Sequence, residues 1–144
     1  MRMRARLITA ALPVLVACNG GADPAEEIEA SSALTAVACA DASQLRQWSR
    51  DYRRQSDDAA SDQRTITIGE RANFFASLAI IADLKCRMSL AEADEALESA
   101  LEAAREAQNA PNFYNTAVSW GRANFAAAQV IDLLVQNLPT PATE

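Results

Sequence analysis

The side chains that could perform covalent chemistry in this chain are few. Histidine is absent from the 144 residues, which removes the usual general base and the commonest metal ligand. A serine nucleophile would have to rely on Lys85, the only lysine, and the nearby Ser89 is better explained as a helix cap. Gly69 and Gly121 are isolated and form no phosphate-binding loop, and nothing singles out a catalytic pair of carboxylates. The sequence therefore predicts no catalytic residue, no metal site, no cofactor and no enzymatic activity.

Cys18 is the first of three cysteines, and it follows a segment built like a secretory signal peptide. Residues 1–6 carry three arginines, and residues 7–17 contain no charged side chain. This order of basic, apolar and small residues is typical of a leader that is removed on export. The apolar run is about half the length that a membrane-spanning helix requires, so we expect residues 1–17 to be cleaved.

The end of this leader, residues 15–18 (Leu-Val-Ala-Cys), resembles the lipobox of bacterial lipoproteins. The resemblance implies cleavage before Cys18, acylation of that cysteine by more than one chain, and attachment to a membrane. Asn19, where some lipoproteins have aspartate, is similar to lipoproteins forwarded to the outer membrane, which implies an anchor facing the periplasm. Anchoring in the inner membrane is one alternative. An ordinary secreted protein with an incidental Cys18 is another.

The mature chain would be strongly acidic. Losing the three arginines of the leader would take the formal charge from −6 to −9. That balance argues against nucleic acid or an anionic lipid surface as the main partner, because both require clustered cations. Residues 18–31 are polar and acidic and predict a tether, residues 32–138 predict one helical domain, and residues 139–144 predict a disordered tail.

Within the domain, apolar residues recur at three- and four-residue steps in four segments. Alanine is frequent and glycine is rare, which favours close-packed helices. The predicted helices occupy some part of residues 32–56, a segment that begins near Thr65, a segment that ends near Gln108, and residues 112–137. Residues 56–64 predict a loop. The sequence therefore predicts an all-α, up-and-down four-helix bundle.

Capping signals suggest where two of these helices begin. The first helix has three candidate N-caps, which are Ser31, Ser32, or Asp41 with Gln44 as the partner of a capping box. The third helix begins with the pattern Ser-x-x-Glu at residues 89–92, in which each side chain would satisfy a backbone N–H of the other. Five glutamates crowd its outer face, and for these a solvated surface is favoured over a cation site: Glu92, Glu95, Glu98, Glu102 and Glu106.

A short internal repeat is also visible. Residues 71–74 (Arg-Ala-Asn-Phe) recur as residues 122–125, and Arg54, Thr65 and Ile80 also have identical counterparts at the same offset. Two duplicated helical hairpins would explain the repeat. Chance similarity between alanine-rich helices would explain it almost as well.

Cys39 and Cys86 are left as an even pair if Cys18 is acylated. Because the periplasm is oxidising, we predict a disulfide between them, which would tie the first helix to the end of the second. Two buried free thiols are the alternative. The sequence has no Cys-x-x-Cys spacing that would favour a redox site.

Residues 72–138 resemble, in order and spacing, the small helical pilotins of type II secretion systems. The junction at residues 84–89 (Leu-Lys-Cys-Arg-Met-Ser) carries the resemblance, and two helices follow it. Cys86 and Ser89 are the specific residues of this match. The acidic third helix departs from the pattern. The resemblance implies a lipoprotein that folds a short segment of an outer-membrane secretin into a helix within an apolar groove. The aromatic candidates for such a groove are Trp48, Phe74, Trp120 and Phe125, and their alternative role is plain core.

Taken together, these features predict a lipid-anchored periplasmic adaptor that binds a protein partner. The last helix is apolar nearly all round, so it is either buried on several sides or offers part of its surface to another molecule. A carrier of an apolar small molecule or lipid between the helices is the alternative function.

Overall fold

Four α-helices make up residues 37–141, the part of the chain that a computed structural model describes. A 3-10 turn, Cys39–Asp41, leads into α1, Ala42–Asp57. The others are α2, Asp62–Lys85, α3, Ala91–Gln108, and α4, Phe113–Gln136. The predicted all-α four-helix bundle is confirmed, and residues 65–68 are helical. The predicted leader, Cys18, the tether and two N-cap candidates, Ser31 and Ser32, lie outside the described residues.

The α1 helix begins directly after Asp41, the third of its candidate caps, but the predicted capping box with Gln44 is not formed. Asp41 already has helical backbone angles and its side chain makes no cap hydrogen bond to α1. Instead its carboxylate accepts a hydrogen bond of 2.8 Å from the backbone N–H of Ala38. The carboxylate therefore closes the 3-10 turn that precedes the helix.

The loop predicted over residues 56–64 is shorter than expected. Helix α1 runs to Asp57 and α2 begins at Asp62, because Ser61 acts as its N-cap and accepts a hydrogen bond of 3.4 Å from the N–H of Arg64. Only residues 58–61 remain as the connection. A connection this short makes α1 and α2 an antiparallel hairpin.

The capping box predicted at the start of α3 is also absent. The N-cap is Leu90 and it has no side-chain cap, so Ser89 lies one residue too early to serve α3. The first turn is instead held by an ion pair of 2.5 Å between Lys85, at the end of α2, and Asp94. The five outer glutamates of α3 are all exposed, as the solvated-face interpretation predicted.

Helix α4 closely matches its prediction. The side chain of Asn112 caps it by accepting a hydrogen bond of 3.0 Å from the N–H of Asn115. Asn137 follows as the C-cap. In the described part of the chain, extensive helix contacts join α1 to α2, α3 to α4, and α2 to α4. The two hairpins therefore meet through α2 and α4, and α1 and α3 lie on the outside.

Small residues lie at the point where α2 crosses α4. The Asn124 side chain donates to a Glu70 carboxylate oxygen at 2.7 Å, and the rings of Phe74 and Trp120 have centroids 5.7 Å apart. These two contacts bracket Ala72 and Ala123, which are both fully buried. Because alanine side chains are short, the two helices can approach closely there.

The internal repeat extends to the helix boundaries. Helices α2 and α4 both have 24 residues and begin at the same offset as the repeated motif. Their N-caps, Ser61 and Asn112, correspond, and the hydroxyls of Thr65 and Thr116 donate to the carbonyls of those caps at 3.1 and 2.8 Å. Matching boundaries and caps favour duplication of a hairpin over chance similarity.

The predicted disulfide is present. Cys39 and Cys86 are bonded, with their Cα atoms 4.7 Å apart and a separation of 47 positions in the sequence. The bond ties the start of the first hairpin to its end. Among the described helices, none is long and apolar enough to cross a membrane.

We expect the double substitution Cys39→Ala with Cys86→Ala to lower the free energy of unfolding by about 4 kcal/mol, because the open chain regains the entropy of a 47-residue loop. Both cysteines are exposed, so their loss leaves no cavity in the core. Urea unfolding measures the change. Reductant should lower the stability of the wild type to that of the variant and leave the variant unaffected. Equal stability of the two oxidised proteins would contradict the prediction.

Candidate functional site

Helix α4 has two apolar faces, and other helices cover only one of them. The covered face contains Trp120, Ala123 and Val130, which are fully buried against α2 and α3. The other face is a row of residues spaced alternately by four and three positions, which we name the outer seam: Tyr114, Val118, Gly121, Phe125, Ala128, Asp132 and Val135. This spacing keeps the whole row on one side of the helix, as in a coiled-coil seam.

Large apolar side chains stand free on the outer seam. The exposed fractions are 74% for Tyr114, 68% for Phe125, 51% for Val135 and 36% for Val118. Of the six large apolar side chains exposed in the described residues, these are four. Single exposed apolar residues are ordinary, but a contiguous row of them marks a surface that another molecule covers.

Small residues alternate with these large ones. A Cβ atom added to Gly121 would meet no other atom within 4 Å, so an open notch lies between Val118 and Phe125. Ala128 leaves a second shallow position on the far side of Phe125 and is itself exposed. An alternation of knobs and notches can interlock with the side chains of a second helix.

The charge of α4 differs from that of its neighbour. Arg122 and Asp132 are its only charged residues; Asp132 lies on the outer seam, and Arg122 lies beside it among the uncharged flanking residues Asn115, Gln129 and Gln136. The outer face of α3, by contrast, carries the five exposed glutamates. In residues 37–141 no cluster of three or more potential ligands could hold a metal ion. The outer seam is therefore the described surface best suited to binding an apolar partner.

The structure separates the four aromatic residues proposed for binding. Phe125 lies on the outer seam, while Phe74 and Trp120 are 1% and 0% exposed and pack against each other in the core. Trp48 is half-buried and meets the ring of Phe75 edge-on at 5.7 Å. Three of the four therefore belong to the core or its margin and do not meet Phe125.

Sequence reasoning did not include Tyr114, Val118 or Val135 among the binding residues. The signal that could have found them is the spacing of four and three residues, which repeats along α4 beside the stripe that enters the core. Two apolar stripes on one helix predict two contact faces.

Arg71 lies between aromatic rings where the hairpins meet. Its guanidinium carbon is 5.8 Å from the centre of the Tyr52 ring and 5.7 Å from that of Trp120. Contacts of this kind are worth about 0.5–2 kcal/mol, with the larger values for desolvated pairs. The arrangement links α1, α2 and α4, so Arg71 has a clear structural role.

No known protein family, curated protein or solved structure matches this chain.

Phe74 and Phe125 occupy equivalent positions of the repeat and provide a matched pair of substitutions. We expect Phe74→Ala to lower the free energy of unfolding by about 3–5 kcal/mol, because it removes a buried ring. Phe125→Ala should change it by less than about 0.5 kcal/mol, because that ring is 68% exposed. Urea unfolding, monitored by tryptophan fluorescence, measures the free energy of unfolding of both variants. Similar losses for the two variants would show that Phe125 is a core residue and that the outer seam is not a free surface.

Proposed function

We propose that this protein is a lipid-anchored periplasmic adaptor that binds an amphipathic helix of a protein partner on the outer seam of α4. The observation that carries the proposal is the row of exposed apolar residues at coiled-coil spacing, which no other described helix covers. Phe125 and Tyr114 are its largest members. Aromatic residues of this kind are the usual anchors of a binding surface.

A helical segment is the partner structure that fits the outer seam. Helix α4 has 24 residues, and at 1.5 Å per residue it offers a straight face of about 36 Å. An extended strand would need unpaired backbone groups to bind, and a helix has none along its length. A partner helix with apolar residues at the same spacing could place side chains in the notch at Gly121.

The membrane anchor rests on the sequence. The lipobox-like residues 15–18 and the signal peptide before them support acylation of Cys18. A random-coil linker with the length of the proposed tether has a typical span of about 20 Å. The adaptor would therefore hold its partner close to the membrane, which suits the proposed outer-membrane location facing the periplasm.

The resemblance to pilotins would make the partner a segment of an outer-membrane secretin. This finer proposal shares the helix-in-groove chemistry of the outer seam. The residues differ from those the resemblance implied, because Phe74 and Trp120 are buried and the free apolar surface lies on the outside of α4.

A carrier of an apolar ligand would need room between the helices. The largest buried side chains fill the interior by packing on one another: Phe75 stacks on Tyr52 at 5.4 Å and meets Phe74 at 6.1 Å, and Phe74 meets Trp120. The apolar excess of α4 is thus divided between this core and the outer seam. We therefore favour the adaptor.

Charged substitutions on the outer seam test partner binding. We expect Val118→Glu and Phe125→Glu each to abolish a specific crosslinked product in intact cells, because a carboxylate would have to be desolvated at the contact. Ile80→Glu is the matched control, since Ile80 is equally apolar, is 48% exposed and lies on α2. Circular dichroism should show that all three variants are folded.

The crosslinked peptide of the partner should map to an amphipathic helix. A product that persists in both seam variants, or that Ile80→Glu also removes, would place the binding surface elsewhere. Recovery of the wild type with no specific partner would remove the adaptor proposal altogether.

The anchor has its own test. We expect Cys18→Ser to move the protein from the membrane to the soluble fraction, whereas the double variant Cys39→Ala with Cys86→Ala should stay in the membrane. The intact mass of the wild type should correspond to a chain that begins at Cys18 and carries fatty acyl groups. A product that begins at Met1, or one cut elsewhere without acyl groups, would disprove lipidation.

A further inference from the structure

We infer that the outer seam of α4 is complementary to itself, and that a second copy of this chain, running antiparallel, covers it when no partner is bound. The inference concerns the site of the proposed function and adds a form of regulation to it. The self-association itself requires no partner and can be tested without one.

Side-chain size supports an antiparallel match. In an antiparallel coiled coil, residues at the two kinds of seam position face each other across the pair. When the seam is reversed and Phe125 of one copy is set opposite Ala128 of the other, the largest ring meets a small residue. In the same register Val118 faces Val135 of the second copy. The apolar layers of this register are therefore Phe125 with Ala128 and Val118 with Val135, each formed twice, while Tyr114 extends beyond the end of α4 in the second copy.

Charge selects this register. Asp132 of one copy lies opposite the notch at Gly121 of the other, at the level of Arg122 in that second copy. The two charged residues of α4 thus form an ion pair twice, once at each end of the symmetric contact. A register shifted by one heptad, with Phe125 opposite Gly121, would instead bring the two copies of Arg122 face to face. Like charges at an interface disfavour that arrangement.

The rest of the surface also suits a second copy at this position. Apart from Arg122, the residues that flank the outer seam on this side are uncharged, namely Asn115, Gln129 and Gln136, so the only flanking charges of the pair are the two copies of Arg122 that the register places beside Asp132. The acidic face of α3 and the arginines of α1 lie on other helices. A twofold contact of this kind is closed, so it gives a dimer and no longer chain of copies.

Self-coverage would regulate the adaptor. A partner helix must displace the second copy before it can bind, so the apparent affinity for the partner falls as the concentration of the chain in the membrane rises. The same equilibrium would keep the apolar seam out of contact with other envelope proteins until the correct helix arrives.

Two cysteine substitutions, placed on differently tagged full-length copies, test the orientation. The copies are produced in a heterologous bacterial host that lacks the native partner. We expect Val118→Cys on one copy and Val135→Cys on the other to form an intermolecular disulfide. Each variant produced alone should form no such disulfide, because in the antiparallel pair the two identical introduced cysteines are about 25 Å apart. Crosslinking of each variant alone but not of the mixture would show a parallel pair, and no crosslink in any combination would show that the chain does not dimerise through the seam. Either result would overturn the inference.

Charge reversal tests the register. In the same assay, Asp132→Arg or Arg122→Asp should lower the yield of the mixed crosslink by on the order of tenfold, because two attractive pairs become repulsive. The double reversal should restore it, and Glu102→Arg on α3 should have no effect. Failure of the double reversal to restore the crosslink would disprove the assigned register. A variant that no longer dimerises but still captures its partner would support the proposed function and contradict the dimer. A variant that dimerises but captures no partner would support the dimer and contradict the proposed function.

Discussion

Where α2 crosses α4, the ring of Trp120 packs against Phe74 and lies beneath the guanidinium of Arg71. In the described part of the chain, this crossing is the extensive contact that joins the two hairpins. Trp120 is fully buried there, and removing so large a ring from a core costs about 3–5 kcal/mol. Because the crossing fixes which face of α4 points inward, it also fixes which face points out. The outer seam exists as a surface only because Trp120 holds α4 in that rotation.

The polar faces of α1 and α3 show that the apolar seam is a local property. The outward side of α1 carries Arg46, Arg50 and Arg53, and that of α3 carries glutamates. Helix α4, by contrast, carries only two charged residues, Arg122 and Asp132. Solvated helices normally present charged residues outward. The exposed Phe125 and Tyr114 therefore indicate a contact that the four helices do not themselves provide.

The sequence predicted the helices and the disulfide because each depends on local pattern or on simple pairing. Periodicity placed α3 and α4 to within about one residue, and compartment chemistry paired Cys39 with Cys86. Two predicted capping boxes are absent, because α3 begins one residue later than Ser89 allows and the Asp41 carboxylate closes the preceding turn. The start of α2 was predicted three residues late, because Ser61 caps it. The residues of the outer seam could not be predicted from residue type. Phe74 and Phe125 share one motif, and only the packing of α2 against α4 decides that one is buried and the other exposed.

A duplication of the hairpin would also account for the burial of Phe74 and the exposure of Phe125. If the hairpins are related by the repeat, the contact of Phe74 with Trp120 has a counterpart in which Phe125 would meet Gly69. Glycine has no side chain to cover a ring. A Cβ atom at Gly69 would lie 3.3 Å from the Ser56 hydroxyl oxygen, so α1 packs too closely for a larger residue to fit there easily. Among the many differences between the two halves, tryptophan at position 120 and glycine at the equivalent position 69 bear directly on this contact. The ring of Trp120 therefore covers Phe74, the glycine at the equivalent position offers no ring to Phe125, and Phe125 is left exposed on the outer seam.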